Sequence, residues 1–170
     1  MIKRQMIILT ILSGILLVVL TFNVQAKDKK IYDVPMDYDQ QEKLLEICEE
    51  YKVDPKLILA IIMTESEFKA DVISDTNDYG LMQINKVNHK WLSEELGVTD
   101  FLDPIQNIKA GVYIVSSYIS EYPDVHQLLM IYNMGESGAK KLFKQGIYKS
   151  NYSKKVMENF TNIKFIKEIK

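Results

Sequence analysis

The sequence predicts a mostly α-helical domain interrupted by one short irregular insertion, and three observations predict it. Apolar residues recur at helical spacing over most of residues 39–163. Two Asp-Pro pairs, Asp54-Pro55 and Asp103-Pro104, are strong helix starts: an N-cap is followed by a proline in the first turn, where its missing N–H has no partner to lose. Residues 69–86 lose the helical period and gain Asp, Ser, Thr and Asn, the composition of a loop or small antiparallel ribbon.

Taken in order, the chain opens on a basic Met1-Ile-Lys-Arg4, an apolar run from Met6 to Phe22, and the small-residue pattern Val24-Gln25-Ala26. Residues 1–26 therefore read as a secretory signal peptide or, if uncleaved, as a membrane anchor, since the apolar run approaches the ~20 residues that span a bilayer. Either reading puts the rest of the chain outside the cytoplasm, with membrane contact only through residues 6–22. Residues 27–38 are a short charged linker, and residues 39–170 form the domain. Asp39-Gln-Gln-Glu42 is a capping box opening a helix through Tyr51, with Leu44, Leu45, Ile47, Cys48 and Tyr51 on one side. Asp54-Pro55 opens an oily helix, carrying Leu57, Ile58, Ile61 and Ile62, that ends near Glu65. Asp103-Pro104 opens another, with Ile105, Ile108, Val112, Val115, Ile119 and Tyr122 inward. Asp124-Val-His-Gln127 caps a helix running to about Asn133. A short helix follows from about Ser137 to Gly146, and a basic amphipathic one begins near Ser153.

Composition excludes several functions. The chain has 170 residues, room for one domain with a real core. Its formal net charge is −2, and the single arginine, Arg4, lies in the N-terminal segment. A phosphate backbone demands clustered Arg and Lys, so nucleic acid is not an expected partner. Cys48 is alone and cannot form an internal disulfide; it reads as a small core residue. His89 and His126 have no further ligands at metal spacing, so neither a metal nor another cofactor is expected.

Glu65 is the residue with chemical promise. A carboxyl at the C-terminal end of an apolar helix meets oily neighbours and the negative end of the macrodipole. Both disfavour its charged form, raise its pKa and suit it to general-acid work. Glu67 reads as its solvated neighbour. Leu81, Met82, Met130 and Met134 read as core, and Tyr132 and Tyr152 as packing residues.

The downstream motifs change this reading. Glu65-Ser66-Glu67-Phe68, followed by Tyr79-Gly80-Leu81-Met82-Gln83-Ile84-Asn85 with Gly80 15 positions after Glu65, resembles the soluble lytic transglycosylase (SLT) domain family of the lysozyme-like superfamily. Ile131-Tyr-Asn-Met-Gly135 resembles that family's Ala-Tyr-Asn-x-Gly motif, and Tyr152-Ser-Lys-Lys-Val156 its closing Tyr-x-x-Lys-Val. The resemblance covers roughly residues 40–160. It implies a lysozyme-like α domain whose small loop or β-ribbon insertion lines a glycan groove. Glu65 is then the catalytic residue, and Ser74, Gly80, Met82, Gln83, Tyr132, Asn133 and Tyr152 bind substrate. Gln83 and Asn133 offer donor and acceptor together, matching the acetamido groups of the sugars. Gly80 lets the backbone lie close to the ligand.

The partner so implied is the peptidoglycan glycan strand. Glu65 protonates the bond between N-acetylmuramic acid and N-acetylglucosamine, the acetamido oxygen stabilises the anomeric centre, and Glu65 then takes the proton of the 6-hydroxyl to close a 1,6-anhydro ring. Such domains serve wall remodelling, secretion or conjugation apparatus, and phage entry. Two departures stand out. Ile131 replaces the usual alanine, which narrows the groove floor near Tyr132. Asn77-Asp78 stands where many members have Gly-Ala. Asp78-Tyr-Gly80 is closer to animal-type lysozymes, where the aspartate is a second catalytic carboxylate. This keeps two alternatives open: a muramidase using Asp78 and water, and a wall-binding or assembly protein that does no chemistry.

Overall fold

The computed structural model describes residues 29–169; the segment read as signal peptide or anchor lies outside the described residues. In chain order the elements are β1 (Lys29–Tyr32), α1 (Tyr38–Tyr51), α2 (Pro55–Glu65), β2 (Asp78–Tyr79), β3 (Ile84–Asn85), α3 (His89–Leu96), α4 (Pro104–Ile119), α5 (Val125–Phe143), α6 (Asn151–Asn162) and β4 (Phe165–Ile169). The fold is thus mostly α with two small two-stranded antiparallel sheets, β1–β4 and β2–β3. No helix among the described residues is long and apolar enough to cross a membrane.

The sequence of α2 dictates its place. Leu57 to Ile62 is an unbroken apolar run, so this helix has no face to offer water, and all six side chains are buried. It is the central helix and packs most extensively on α6, while α1 packs on α4 and α5 on α6. Each of its Leu and Ile side chains contributes roughly 1.5–3 kcal/mol by leaving water. Asp54 caps it by accepting from the Lys56 N–H at 2.8 Å, with Pro55 in the first turn, as expected. Asp103 and Asp124 cap α4 and α5 in the same manner.

Several boundaries differ from expectation. The cap of α1 is Asp37, which accepts from the Gln40 N–H at 2.8 Å; Asp39 sits within the first turn. The start of α6 lies at Asn151, two residues before the expected Ser153, because Ser150 and Ser153 form a reciprocal capping box. The break expected between Asn133 and Ser137 is present: α5 is interrupted at Gly135, whose φ of 72° and ψ of 157° lie far from helical values. Residues 29–36, expected as linker, are built into the folded body. Tyr32 and Met36 are buried, and the buried Gln41 amide accepts from the Tyr32 N–H and donates to the Tyr32 and Met36 carbonyls. Strand β1 pairs with β4, Lys30 opposite Glu168 and Ile31 opposite Lys167.

Candidate active site

Glu65 is the last residue of α2, and the residues after it explain why the helix stops there. The Ser66 hydroxyl donates to the Leu81 carbonyl at 2.8 Å and its N–H donates to the Ile62 carbonyl at 3.0 Å, so the helix end and the Gly80–Gln83 turn are tied together. Glu67 and Phe68 then adopt φ of 52° and 65°, two successive left-handed residues that are not glycine. Each such residue costs of order 1–2 kcal/mol, and the arrangement persists because Phe68 packs against the core. The chain turns sharply away, leaving the Glu65 carboxyl at the lip of a cleft.

That cleft has a volume of about 700 Å³ and runs between the β2–β3 loop, α4 and the middle of α5. Glu65, Ser74, Asp78, Gln83, Tyr132 and Asn133 all line it, so six of the predicted site residues come together. Its charged walls among the described residues are two carboxylates, Glu65 and Asp78, with no Lys or Arg beside them. Burial pushes the Glu65 pKa up from 4.5 to about 7, and the negative Asp78 adds to the rise; the Tyr152 hydroxyl, donating to Oε1 at 2.6 Å, opposes it. Half-protonated near neutrality, with one oxygen held by Tyr152, this carboxyl is equipped to give and retrieve a proton.

Asp78 is held in the opposite state. Burial would raise its pKa, but hydrogen bonds from Thr76, Ser74 and Asn85 outweigh it and the net shift is downward. Ser74 Oγ donates to Oδ2 at 2.7 Å, the Thr76 hydroxyl donates to the same oxygen, and Asn85 Nδ2 donates to Oδ1 at 2.7 Å. Ser74 therefore orients a carboxylate as well as facing the cleft. Asn77, in the left-handed region at φ 62°, makes the turn that allows this.

Gly80 and Met82 do not reach the cleft, and Tyr152 bonds the Glu65 carboxyl. Gly80 is buried and does not line the cleft. At its φ of 72°, a Cβ would lie 2.5 Å from Asn107 Nδ2 and 2.6 Å from the Phe101 carbonyl oxygen, so the missing side chain makes room for Asn107 and not for a ligand. The Met82 side chain is fully buried against Gly111, and its contribution is a carbonyl that accepts from Tyr132 Oη at 2.7 Å. Tyr152 reaches Glu65 but does not line the cleft. Gln83 does, in a left-handed conformation, with Nε2 donating to the Gly80 carbonyl at 2.8 Å. Ile131, the departure from alanine, is buried and forms part of the wall beside Tyr132.

Sequence reasoning missed three groups. Buried Asn107 is the hub of the turn: its Oδ1 accepts from the Met82 N–H, and its Nδ2 donates to the Tyr79 and Phe101 carbonyls. Its signal was an asparagine within an apolar helical face. Trp91, on the unpredicted helix α3, presents an exposed indole to the cleft and donates from Nε1 to Asn88 Oδ1. Ser117 and Tyr118 of α4 complete the facing wall.

The transglycosylase SLT domain model matches residues 44–155, which contain every one of these lining residues. The chain belongs to the transglycosylase SLT domain family. Among similar proteins, a transglycosylase of Enterobacteria phage PRD1 is 33% identical over 110 residues, covering 65% of this chain and 38% of that protein. A membrane-bound lytic murein transglycosylase F of Desulfosudis oleivorans is 36% identical over 89 residues, 48% of this chain and 19% of its own. This SLT domain chain thus spans well under half the length of either relative. The 70 kDa soluble lytic transglycosylase of Escherichia coli superposes with a TM-score of 0.62 at 18% identity, over 74% of this chain and 24% of that one. A complex of the 70 kDa enzyme with bulgecin A gives 0.63 at 19% identity, over the same shares. At that identity the superpositions establish a shared fold over that part of the chain.

Proposed function

We propose that this SLT domain is a peptidoglycan lytic transglycosylase in which Glu65 acts alone as acid and then base. The observation that carries the reading is the Glu65 carboxyl itself: last residue of a buried helix, gripped by Tyr152 on one oxygen, facing a cleft and titrating at about 7. Protonated Glu65 gives its proton to the glycosidic oxygen as the muramic C1–O bond breaks, and the substrate's own acetamido oxygen bonds to C1. Glu65, now a carboxylate, removes the proton of the muramic 6-hydroxyl, whose oxygen displaces the acetamido oxygen and closes the 1,6-anhydro ring. No water enters the balance. Neutral polar groups such as Gln83, Asn133 and Ser117, with the faces of Trp91 and Tyr118, suit an uncharged sugar backbone. A purely wall-binding role would leave a mostly buried acid with nothing to do. Action on glycan strands places the domain outside the cytoplasm. The phage relative makes local wall opening for an apparatus a reasonable setting, beside wall remodelling.

One observation favours a second reading. Asp78, ionised and held by three donors, shares the cleft with Glu65, as a hydrolase that stabilises a positive anomeric centre requires. Mass spectrometry of the muropeptides released from purified sacculi separates the two. The proposed reaction yields products ending in 1,6-anhydro-N-acetylmuramic acid, lighter by one water. Reducing-end muramic acid as the main product would replace the lyase with a muramidase.

A further inference from the structure

Two hydrogen bonds tie helix α6 to the end of α2, and only one of them involves the acid. Tyr152 Oη donates to Glu65 Oε1 at 2.6 Å. Asn159 Nδ2 donates to Thr64 Oγ1 at 2.9 Å, and that hydroxyl donates in turn to the Ala60 carbonyl at 2.8 Å. Tyr152 and Asn159 are seven residues apart, two turns along one face of α6. Their partners are neighbours, Glu65 and Thr64. Asn159 is only 4% exposed, so it is a buried polar side chain in an otherwise apolar helix contact with Val156. We propose that Asn159 is a positioning residue, acting through Thr64 to hold the last turn of α2 where the Glu65 carboxyl meets Tyr152 and faces the cleft.

The physical case rests on what that turn would do unheld. Helix ends fray by default, and this one leads directly into two strained left-handed residues, Glu67 and Phe68, whose relaxation would pull on it. Threonine in a helix divides between two χ1 wells. Donation from Asn159 leaves Oγ1 as acceptor on one side and donor to Ala60 on the other, which selects one well. The other end of the clamp is itself fixed: the Ser150–Ser153 capping box sets the start of α6, and His126 Nδ1 lies 3.1 Å from Ser153 Oγ. Two bonds to adjacent residues resist both rotation and unwinding of the turn, whereas Tyr152 alone would follow a wandering carboxyl. Displacing a reacting group by an ångström can cost a hundredfold in rate.

The inference rests on the proposed acid role of Glu65, and its test keeps the two apart. Glycan cleavage is measured for the wild type, Glu65→Gln, Asn159→Ala, Thr64→Val, Thr64→Ser and the double variant Asn159→Ala/Thr64→Val. Activity in Glu65→Gln would sink the function reading itself. With that variant inactive, the clamp predicts a kcat lower by roughly tenfold in Asn159→Ala and Thr64→Val, with KM within about twofold. Thr64→Ser keeps the hydroxyl and should stay near wild type, and the double variant should be no worse than the weaker single. The alkaline limb of the rate profile should also rise in Asn159→Ala, because a displaced Glu65 loses Tyr152 while its other titratable neighbours, Asp78 and Tyr132, are unchanged. A wild-type kcat and pH limb despite a lowered Tm, or additive losses in the double variant, would reduce Asn159 to a packing residue. Should Asn159→Ala fail to fold, the Thr64→Val and Thr64→Ser pair reads the same bond from its other partner.

Discussion

Replacing Tyr152 with Phe tests how the acid is tuned. The hydroxyl is the group that pulls the Glu65 pKa down against burial and against Asp78. At a pKa of about 7, roughly half of the molecules carry the proton at neutral pH. An ordinary carboxyl at 4.5 would carry it in about one molecule in three hundred, so the site holds on the order of a hundred times more acid than water would allow. The rate of glycan cleavage in the wild type should therefore be level below pH 7 and fall about tenfold per pH unit above it. A hydrogen bond to a charged group contributes roughly 1.5–3 kcal/mol, equivalent to about one to two pH units. In Tyr152→Phe the alkaline limb should accordingly move up by about that interval, while the plateau rate drops because Oε1 is no longer held. The assay is a rate profile on purified peptidoglycan from pH 5 to 9, with circular dichroism at each end to exclude unfolding. A limb that stays in place, or moves to lower pH, would refute the assignment of Glu65 as the titrating acid.

Further outcomes follow from the same geometry. Because the folded-state pKa of Glu65 is raised, its contribution to stability is full below 4.5 and is lost as pH rises to about 7; Glu65→Gln should thus abolish cleavage yet melt a few degrees higher than wild type at pH 8, whereas Glu67→Gln should change neither. Asp78→Asn should retain activity within a modest factor if the acetamido group does the work, and lose it as completely as Glu65→Gln if the enzyme is a muramidase; muropeptide release decides. Gly80→Ala should destabilise by about 2–4 kcal/mol, read as a lowered denaturation midpoint, since its Cβ would meet both Asn107 and the Phe101 carbonyl at an unfavourable φ.

Helices α2, α4 and α5 were legible because Asp54, Asp103 and Asp124 announce themselves locally, and Glu65 because an oily run ends on it. Helix α3 was not, since His89–Leu96 is short and buries only Leu92. The β1–β4 pairing joins residues more than a hundred positions apart and leaves no turn between them to see. Asp37 is the harder cap to read, because Asp39 offers a competing capping box two residues on. At the site, the motif residues Gly80 and Met82 serve the turn, and Tyr152 bonds the Glu65 carboxyl. Asn107, Asn159 and Ser66 act through burial and partners distant in sequence, which no local pattern records.

The antiparallel ribbon that pairs the first and last strands of the described residues carries a mechanical consequence. With Lys29 opposite Ile169, entry and exit of the domain lie side by side. Adjacent ends suit a fold that corresponds to 24% of the length of a longer protein, the 70 kDa enzyme. A pull applied across the two ends unzips ribbon hydrogen bonds from their tip, before any load reaches α2. Tension applied to those ends would therefore be dissipated at the doorway, leaving the Glu65 lip of the cleft undisturbed.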